Sequence, residues 1–480
     1  MDGSQSEVTR LSIRTTPITS VNPATEELEA TFEAHTAEQV ADAIGQVQDA
    51  FLSWRERSLA ERAIPMRRLA ILLRERVERY GRLITVEMGK PIAEARAEIE
   101  KCAWSCDHFA ENAARYLADE PVKTNARRSF VAFEPLGIVL AIMPWNYPFW
   151  QVIRFAAPAL MAGNGAVLKH ASNVPRCALA VEEVIRDAGF PEGLFRTVLL
   201  SGSEVEPLIA DDRIRAVTLT GSSQTGSRIA ELAGRAIKKQ VLELGGSDPF
   251  IVLRDADLEA AAAVATRARN QNSGQSCIAA KRFLIQAGVL DEFQERFTKR
   301  VAALRIGDPL EATTQVGPLA RGDLREAVER QVAESVRLGA RVLTGGERWG
   351  DRGYFYRPTV VGGVTPAMPL FTEETFGPVA AIVRVEDADE AIALANASEY
   401  GLGASLWTRD AAAGERLARR LESGQVFVNG LVASDPRLPF GGVKRSGYGR
   451  ELGSFGIREF SNLKTVWVGP AEAEPPARRG

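Results

Sequence analysis

Histidine and cysteine are scarce in this chain, at three and four among 480 residues. Four cysteines (Cys102, Cys106, Cys177 and Cys277) cannot form a disulfide framework for such a length, which fits a reducing compartment and points to the cytoplasm. Cys102 and Cys106 stand four apart with His108 nearby, but a CxxxC without a second pair is poor zinc spacing, so all three read as packing residues and no metal is expected. Also missing is any apolar run of about 18 residues, and the first ten residues lack a basic start followed by an apolar stretch. Neither a membrane span nor a secretory signal is therefore expected. Nor does one sign of charge dominate. The 59 basic and 62 acidic side chains are interleaved rather than blocked, which is not the footprint of a nucleic-acid binder.

What the chain does have is the mixture of a soluble globular protein, 45% hydrophobic and 25% charged, at a length that suggests two or three domains. The first ten to fifteen residues are polar and read as loose. Apolar residues recur at helical spacing over 36–57, 60–80 and 92–117, giving amphipathic helices turned to solvent. From Gly137 short β-rich runs (GIVLAI, GAVLKH, LFRTVLL, AVTLT, QVLEL) alternate with helical segments, the pattern of a doubly wound parallel sheet. A second α/β run begins at PFIVL (249–253) and continues to the region of Gly447. The late strand FSNLKTVWV lies far from either sheet in sequence, a placement that often means pairing with another subunit.

Several stretches carry chemistry. Cys277 sits in NQNSGQSCIAA (270–280), among small and amide side chains rather than in an apolar run, which suggests a closely approached backbone and an accessible sulfur. The AVTLT strand runs into Gly221, Ser222 and on to Gly226, where small residues and free helix N–H groups suit a phosphate, although this is not the GxGxxG fingerprint. Lys169 ends the GAVLKH strand at the rim where a cofactor ribose would lie. Ser172 follows where an acidic residue would repel a 2′-phosphate, so NADP is permitted. Glu243 ends the buried QVLEL strand, a setting that raises a carboxyl pKa and suits a general base. In PWNYP (144–148) two prolines hold an Asn146 amide that can donate to a developing oxyanion.

These motifs, with LKHAS at 168–172, TGSSQTG at 220–226, LELGG at 242–246, GQSC at 274–277, EETFGP at 373–378 and PFGGVKRSGYGRE at 439–451, resemble the aldehyde dehydrogenase superfamily, in family order from about Val21 to Val468. The phrases YPFWQVIRFAAPAL and SDPRLPFGG look most like bacterial succinate-semialdehyde dehydrogenases. The resemblance implies an α/β fold: a Rossmann-type doubly wound cofactor domain (15–117 and 136–243), a second α/β catalytic domain (244–448), and a small β oligomerisation element (118–135 and 460–470). It implies a Cys277 nucleophile, an oxyanion site from Asn146 and the Cys277 N–H, and a Glu243 base for thioester hydrolysis. Lys169, Ser172, Ser222, Glu374 and Phe376 would contact NADP or NAD, with Trp145, Gly221 and Leu244 lining the cofactor and Ser172 tilting the choice toward NADP. Arg154, two helical turns after Asn146, and Ser434 would take the terminal carboxylate of a small semialdehyde.

Two departures from some relatives stand out. Gln271 replaces a second arginine six residues before the nucleophile, and no second cysteine stands beside Cys277, so a disulfide switch there is not expected. A homodimer or homotetramer is expected, with no nucleic-acid or membrane partner. Competing readings are another short aldehyde such as glutarate semialdehyde, a non-catalytic structural member of the fold, and a cysteine hydrolase. The hydrolase needs a histidine beside the thiol, and none of His35, His108 and His170 lies in a motif matching such an enzyme.

Overall fold

Strands that read as unbroken apolar runs are buried on both faces, and in a parallel sheet that requires helices on either side. Ile138–Met143 and Gly165–His170 show this, with every residue buried. The computed structural model describes residues 17–471; the loose start expected for the first residues, the absence of a signal there, and residues 15 and 16 of the expected first domain lie outside them.

The first sheet has six strands in the order Gly447–Tyr448, Lys239–Glu243, Ile214–Thr220, Ile138–Met143, Gly165–His170, Phe195–Thr197. All pairs are parallel except the outermost, where Gly447–Tyr448 runs antiparallel to Lys239–Glu243. The chain moves outward from Ile138–Met143 in one direction and then crosses to Ile214–Thr220 on the other side. The carboxyl ends of those two neighbours therefore form the switch point at which open α/β sheets bind ligands. The second sheet has seven strands, Arg341–Thr344, Thr359–Gly362, Val379–Val385, Ala280–Gln286, Asp248–Val252, Gly403–Trp407 and Gln425–Val428. Only its first pair is antiparallel.

A helical layer covers the first sheet. Met66, Leu69 and Leu73 from Leu59–Glu75, Ile99, Cys102, Cys106 and Phe109 from Ile92–Tyr116, and Ile153, Phe155 and Leu160 from Trp150–Met161 form one buried cluster. Cys102 and Cys106 are wholly buried there, and His108 Nε2 lies 3.1 Å from the Tyr116 hydroxyl. The helices turned to solvent thus bury one full face each. The single helix expected over 60–80 is two, Leu59–Glu75 and Val77–Met88, because Arg76 leaves helical geometry (φ −107°, ψ 17°) and its guanidinium is held by Tyr80 and Asp187.

The late strand is present as Ser461–Ala471, but its partner is in its own chain. It pairs antiparallel with Ala126–Pro135, which also pairs with Glu120–Pro121. Pairing to another subunit is thus not what satisfies its ladder on that side. Its other edge carries no strand among the described residues. No helix among them is long and apolar enough to cross a membrane.

Candidate functional site

The loop that carries Cys277 is built against its local preferences. Asn272 and Ser273 both take left-handed backbone conformations (φ 53° and 54°), which cost non-glycine residues about 1 kcal/mol or more each and persist only where surroundings impose them. The surroundings are polar and directional. Asn272 N–H donates to Glu94 at 2.5 Å, Ser273 Oγ lies 3.0 Å from the Gly317 carbonyl, and Arg269 Nη2 donates to the Gly274 carbonyl at 2.6 Å. Lys281 Nζ then grips three carbonyl oxygens of the loop, those of Ser276 (3.1 Å), Cys277 (2.8 Å) and Ala279 (3.1 Å).

Motifs distant in sequence meet at this loop. A Cβ on Gly246 would stand 2.7 Å from the Cys277 carbonyl oxygen, so the LELGG turn touches the nucleophile's own peptide and only glycine fits. Gly274, at φ +76°, packs so closely on the Gly377 carbonyl that ETFGP and GQSC share one surface. Glu374 accepts from Gly246 N–H at 3.0 Å and pairs with Lys281 at 3.8 Å. The PWNYP loop is fixed from below. Glu98, ion-paired with buried Lys90, accepts the N–H groups of Phe149 and Trp150, both at 2.9 Å, while the Lys90 ammonium sits 3.7 Å from the Tyr147 ring centroid.

Cys277 opens into a cavity of about 260 Å³, which it shares with Glu98, Lys101, Trp150, Arg154, Gln271 and Ser434. Protein packed around the sulfur pushes its thiol pKa up to about 12, with Arg154 and Lys281 opposing that rise. Asn146 donates one amide hydrogen to the Gln275 carbonyl at 3.1 Å, which leaves the second free, two residues from Cys277.

Glu243 is not among the residues lining the cavity. It is 2% exposed, and neither carboxylate oxygen has a hydrogen-bond partner. Burial and the neighbouring Glu451 carboxylate hold its pKa well above the usual carboxylate range, with Arg154 and Arg450 pulling the other way. Arg154 does line the cavity, but its guanidinium is ion-paired with buried Glu451, donates to Thr220 Oγ1 at 3.2 Å and lies 4.5 Å from the Phe440 ring centroid. Ser434 lines it too, and accepts from Lys101 Nζ at 2.7 Å.

Sequence reasoning left Lys101, Glu451 and Lys281 without roles. Glu451 ends a quoted motif, and Lys101 follows Glu94, Ala97 and Glu98 at the i, i+3, i+4, i+7 spacing of one helix face. The spacing does not say which face meets a cavity.

Of the expected cofactor contacts, Lys169 lies at the end of Gly165–His170 and Ser222 just beyond Ile214–Thr220. Trp145 and Phe376 meet edge to face with ring centroids 5.7 Å apart. Ser222 caps the Ser223–Arg235 helix, accepting from Thr225 N–H at 3.2 Å, directly after the Ile214–Thr220 strand. Gly221 N–H is spent on the Glu243 carbonyl (3.0 Å) and Leu244 N–H on the Ser446 carbonyl (3.0 Å), so both sit at the crossing of the two motifs. Lys169 is buried at its strand end, where desolvation lowers its amine to about 8 against the opposing charge of Glu204. Ser172 is exposed two residues beyond the end of that strand. A desolvated ammonium, an exposed hydroxyl in place of a carboxylate and a capped helix start form a donor set that fits a phosphorylated dinucleotide.

The profile of the aldehyde dehydrogenase family matches residues 11–466. A probable NADP-dependent succinate-semialdehyde dehydrogenase of Synechocystis sp. is 52% identical over 451 residues, 94% of this chain and 99% of that one. An NADP-dependent succinate-semialdehyde dehydrogenase of Mycobacterium tuberculosis is 50% identical over 455 residues, 94% of this chain and all of that one. Among solved structures, the succinic semialdehyde dehydrogenase of Streptococcus pyogenes in complex with NADP superposes with a TM-score of 0.92 at 36% identity, covering 94% of this chain and 100% of that one.

Proposed function

The chain belongs to the aldehyde dehydrogenase family, and from that premise we propose that it oxidises succinate semialdehyde to succinate with NADP as hydride acceptor. The observation that carries this reading is one cavity with the Cys277 sulfur in its wall alongside the cationic and hydroxyl groups of Lys101, Arg154 and Ser434. Cys277 gives its proton to solvent in the cavity and its sulfur bonds to the aldehyde carbon, opening the C=O to an oxyanion held by the free Asn146 amide hydrogen and the Cys277 N–H. Lys169, Ser172 and Ser222 would hold the phosphates and ribose of NADP, with Trp145, Gly221, Leu244, Glu374 and Phe376 around the rest, and bound there it would supply the acceptor for the hydride released as the adduct collapses to the thioester. Glu243 then takes a proton from the water that attacks the thioester, releasing the acid and the thiol. Its unpartnered oxygens leave the side chain free to turn toward that water.

Arg154 and Ser434 favour a substrate with a distal carboxylate. The first sheet with its covering helices (17–117 and 136–243) forms the cofactor domain and 244–448 the catalytic domain. The strands at 118–135 and 460–470 make a homodimer or homotetramer contact in a cytoplasmic enzyme. A panel of aldehydes with each cofactor tests the reading: kcat/KM is expected to be highest for succinate semialdehyde with NADP, and equal values for butanal would remove it.

A further inference from the structure

The cavity wall carries three cations and two carboxylates whose charges do not cancel in place. Glu98 is neutralised by Lys90 and accepts two backbone N–H groups. Glu94 accepts the Asn272 N–H, and burial raises its pKa. Of the cations, Arg154 is neutralised by Glu451, and Arg267 is exposed to solvent. That leaves Lys101. Among the described residues no carboxylate lies within ion-pairing distance of its ammonium, whose hydrogen-bond acceptor is the neutral Ser434 Oγ and which stands 4.5 Å from the Trp150 ring centroid. An ammonium has three hydrogens to donate, and Ser434, accepting one, keeps its own proton for another acceptor.

We propose that Lys101 is a further anchor for the substrate's distal carboxylate, acting beside Arg154 and Ser434. The proposal rests on the semialdehyde reading above. Two oxygens of a carboxylate match two donors, the Lys101 ammonium and the Ser434 hydroxyl, in a wall that otherwise supplies no unspent buried charge. Desolvation, reinforced by Arg154, lowers the Lys101 amine to about 8, so an anion beside it restores the charged form.

The test is steady-state kinetics of wild type, Lys101→Met and Lys101→Arg with NADP, using succinate semialdehyde and uncharged butanal. Losing a charge-assisted hydrogen bond is expected to raise KM for succinate semialdehyde by roughly ten- to a hundredfold in Lys101→Met. The butanal constants should stay within about twofold, a result that also reports an intact fold, and Lys101→Arg should recover most of the loss. A wild type without preference for the semialdehyde overturns the functional reading and the anchor together. A wild type with that preference, retained in Lys101→Met or lost equally for both aldehydes, overturns the anchor alone.

Discussion

Buried Glu243 and half-buried Lys101 set the pH behaviour of the site. Glu243 is held above the usual carboxylate range by burial and by Glu451. As a base it works only when ionised, so the deacylation rate is expected to fall as pH drops through that raised value, earlier than for an ordinary glutamate. Glu243→Gln removes the base without changing shape. Rapid-quench mixing should then show a burst of about one NADPH per site followed by a steady rate lower by roughly a hundredfold or more. A variant with no burst would place Glu243 in the acylation half instead. Lys101 behaves oppositely. Its amine is lowered to about 8 by burial and by Arg154 from the Trp150–Met161 helix, while Glu98 and Cys102 on its own helix and Asp435 from the loop beyond Ser434 counter the shift. The cation is present below that value and lost as pH rises through it, so KM for succinate semialdehyde should climb above about pH 8 while KM for butanal stays flat. A flat profile for both would contradict a charged anchor.

Turns and loops, more than helices and strands, bring the chemistry together. The turn after Lys239–Glu243 presses Gly246 onto the Cys277 carbonyl, and its φ is not in the left-handed region, so Gly246→Ala tests contact rather than backbone freedom. The added methyl must displace the nucleophile's peptide. Turnover is expected to fall by roughly a hundredfold with NADP affinity, measured by fluorescence titration, unchanged. Much of this was legible in the sequence. Apolar runs such as GIVLAI and GAVLKH, short and alternating with helical segments, read as strands buried on both faces, and helix starts fell within a few residues, with caps such as Thr36, Ser58 and Ser222 standing where periodicity starts. Family motifs named Cys277, Glu243 and Asn146. The break at Arg76 was not legible, since no proline or glycine marks it and the Asp187 carboxylate that holds its guanidinium is more than a hundred residues away. The same holds for Arg154: Asn146 precedes the Trp150–Met161 helix, so helical phase does not relate the two, and nothing in the sequence reveals that Glu451 pairs with the guanidinium.

Among the described residues, the three-stranded sheet leaves Ser461–Ala471 with one edge unpaired and with Leu463, Trp467 and Val468 exposed. Exposed apolar side chains on a free edge are a liability that a second copy of the chain can cover. Replacing Leu463 and Trp467 together with lysine should shift the protein to monomer in sedimentation velocity, and an unchanged assembly would move the contact elsewhere.

The grip of Lys281 on the Cys277 loop reaches further than holding it still. A trans peptide unit points its C=O and its N–H to opposite sides, so a cation clamped on the Ser276 oxygen turns the next amide hydrogen, that of Cys277, the other way. The aim of that donor is thus steered by a charge that never meets an aldehyde. Anyone grafting this thiol loop onto another scaffold must bring the lysine along.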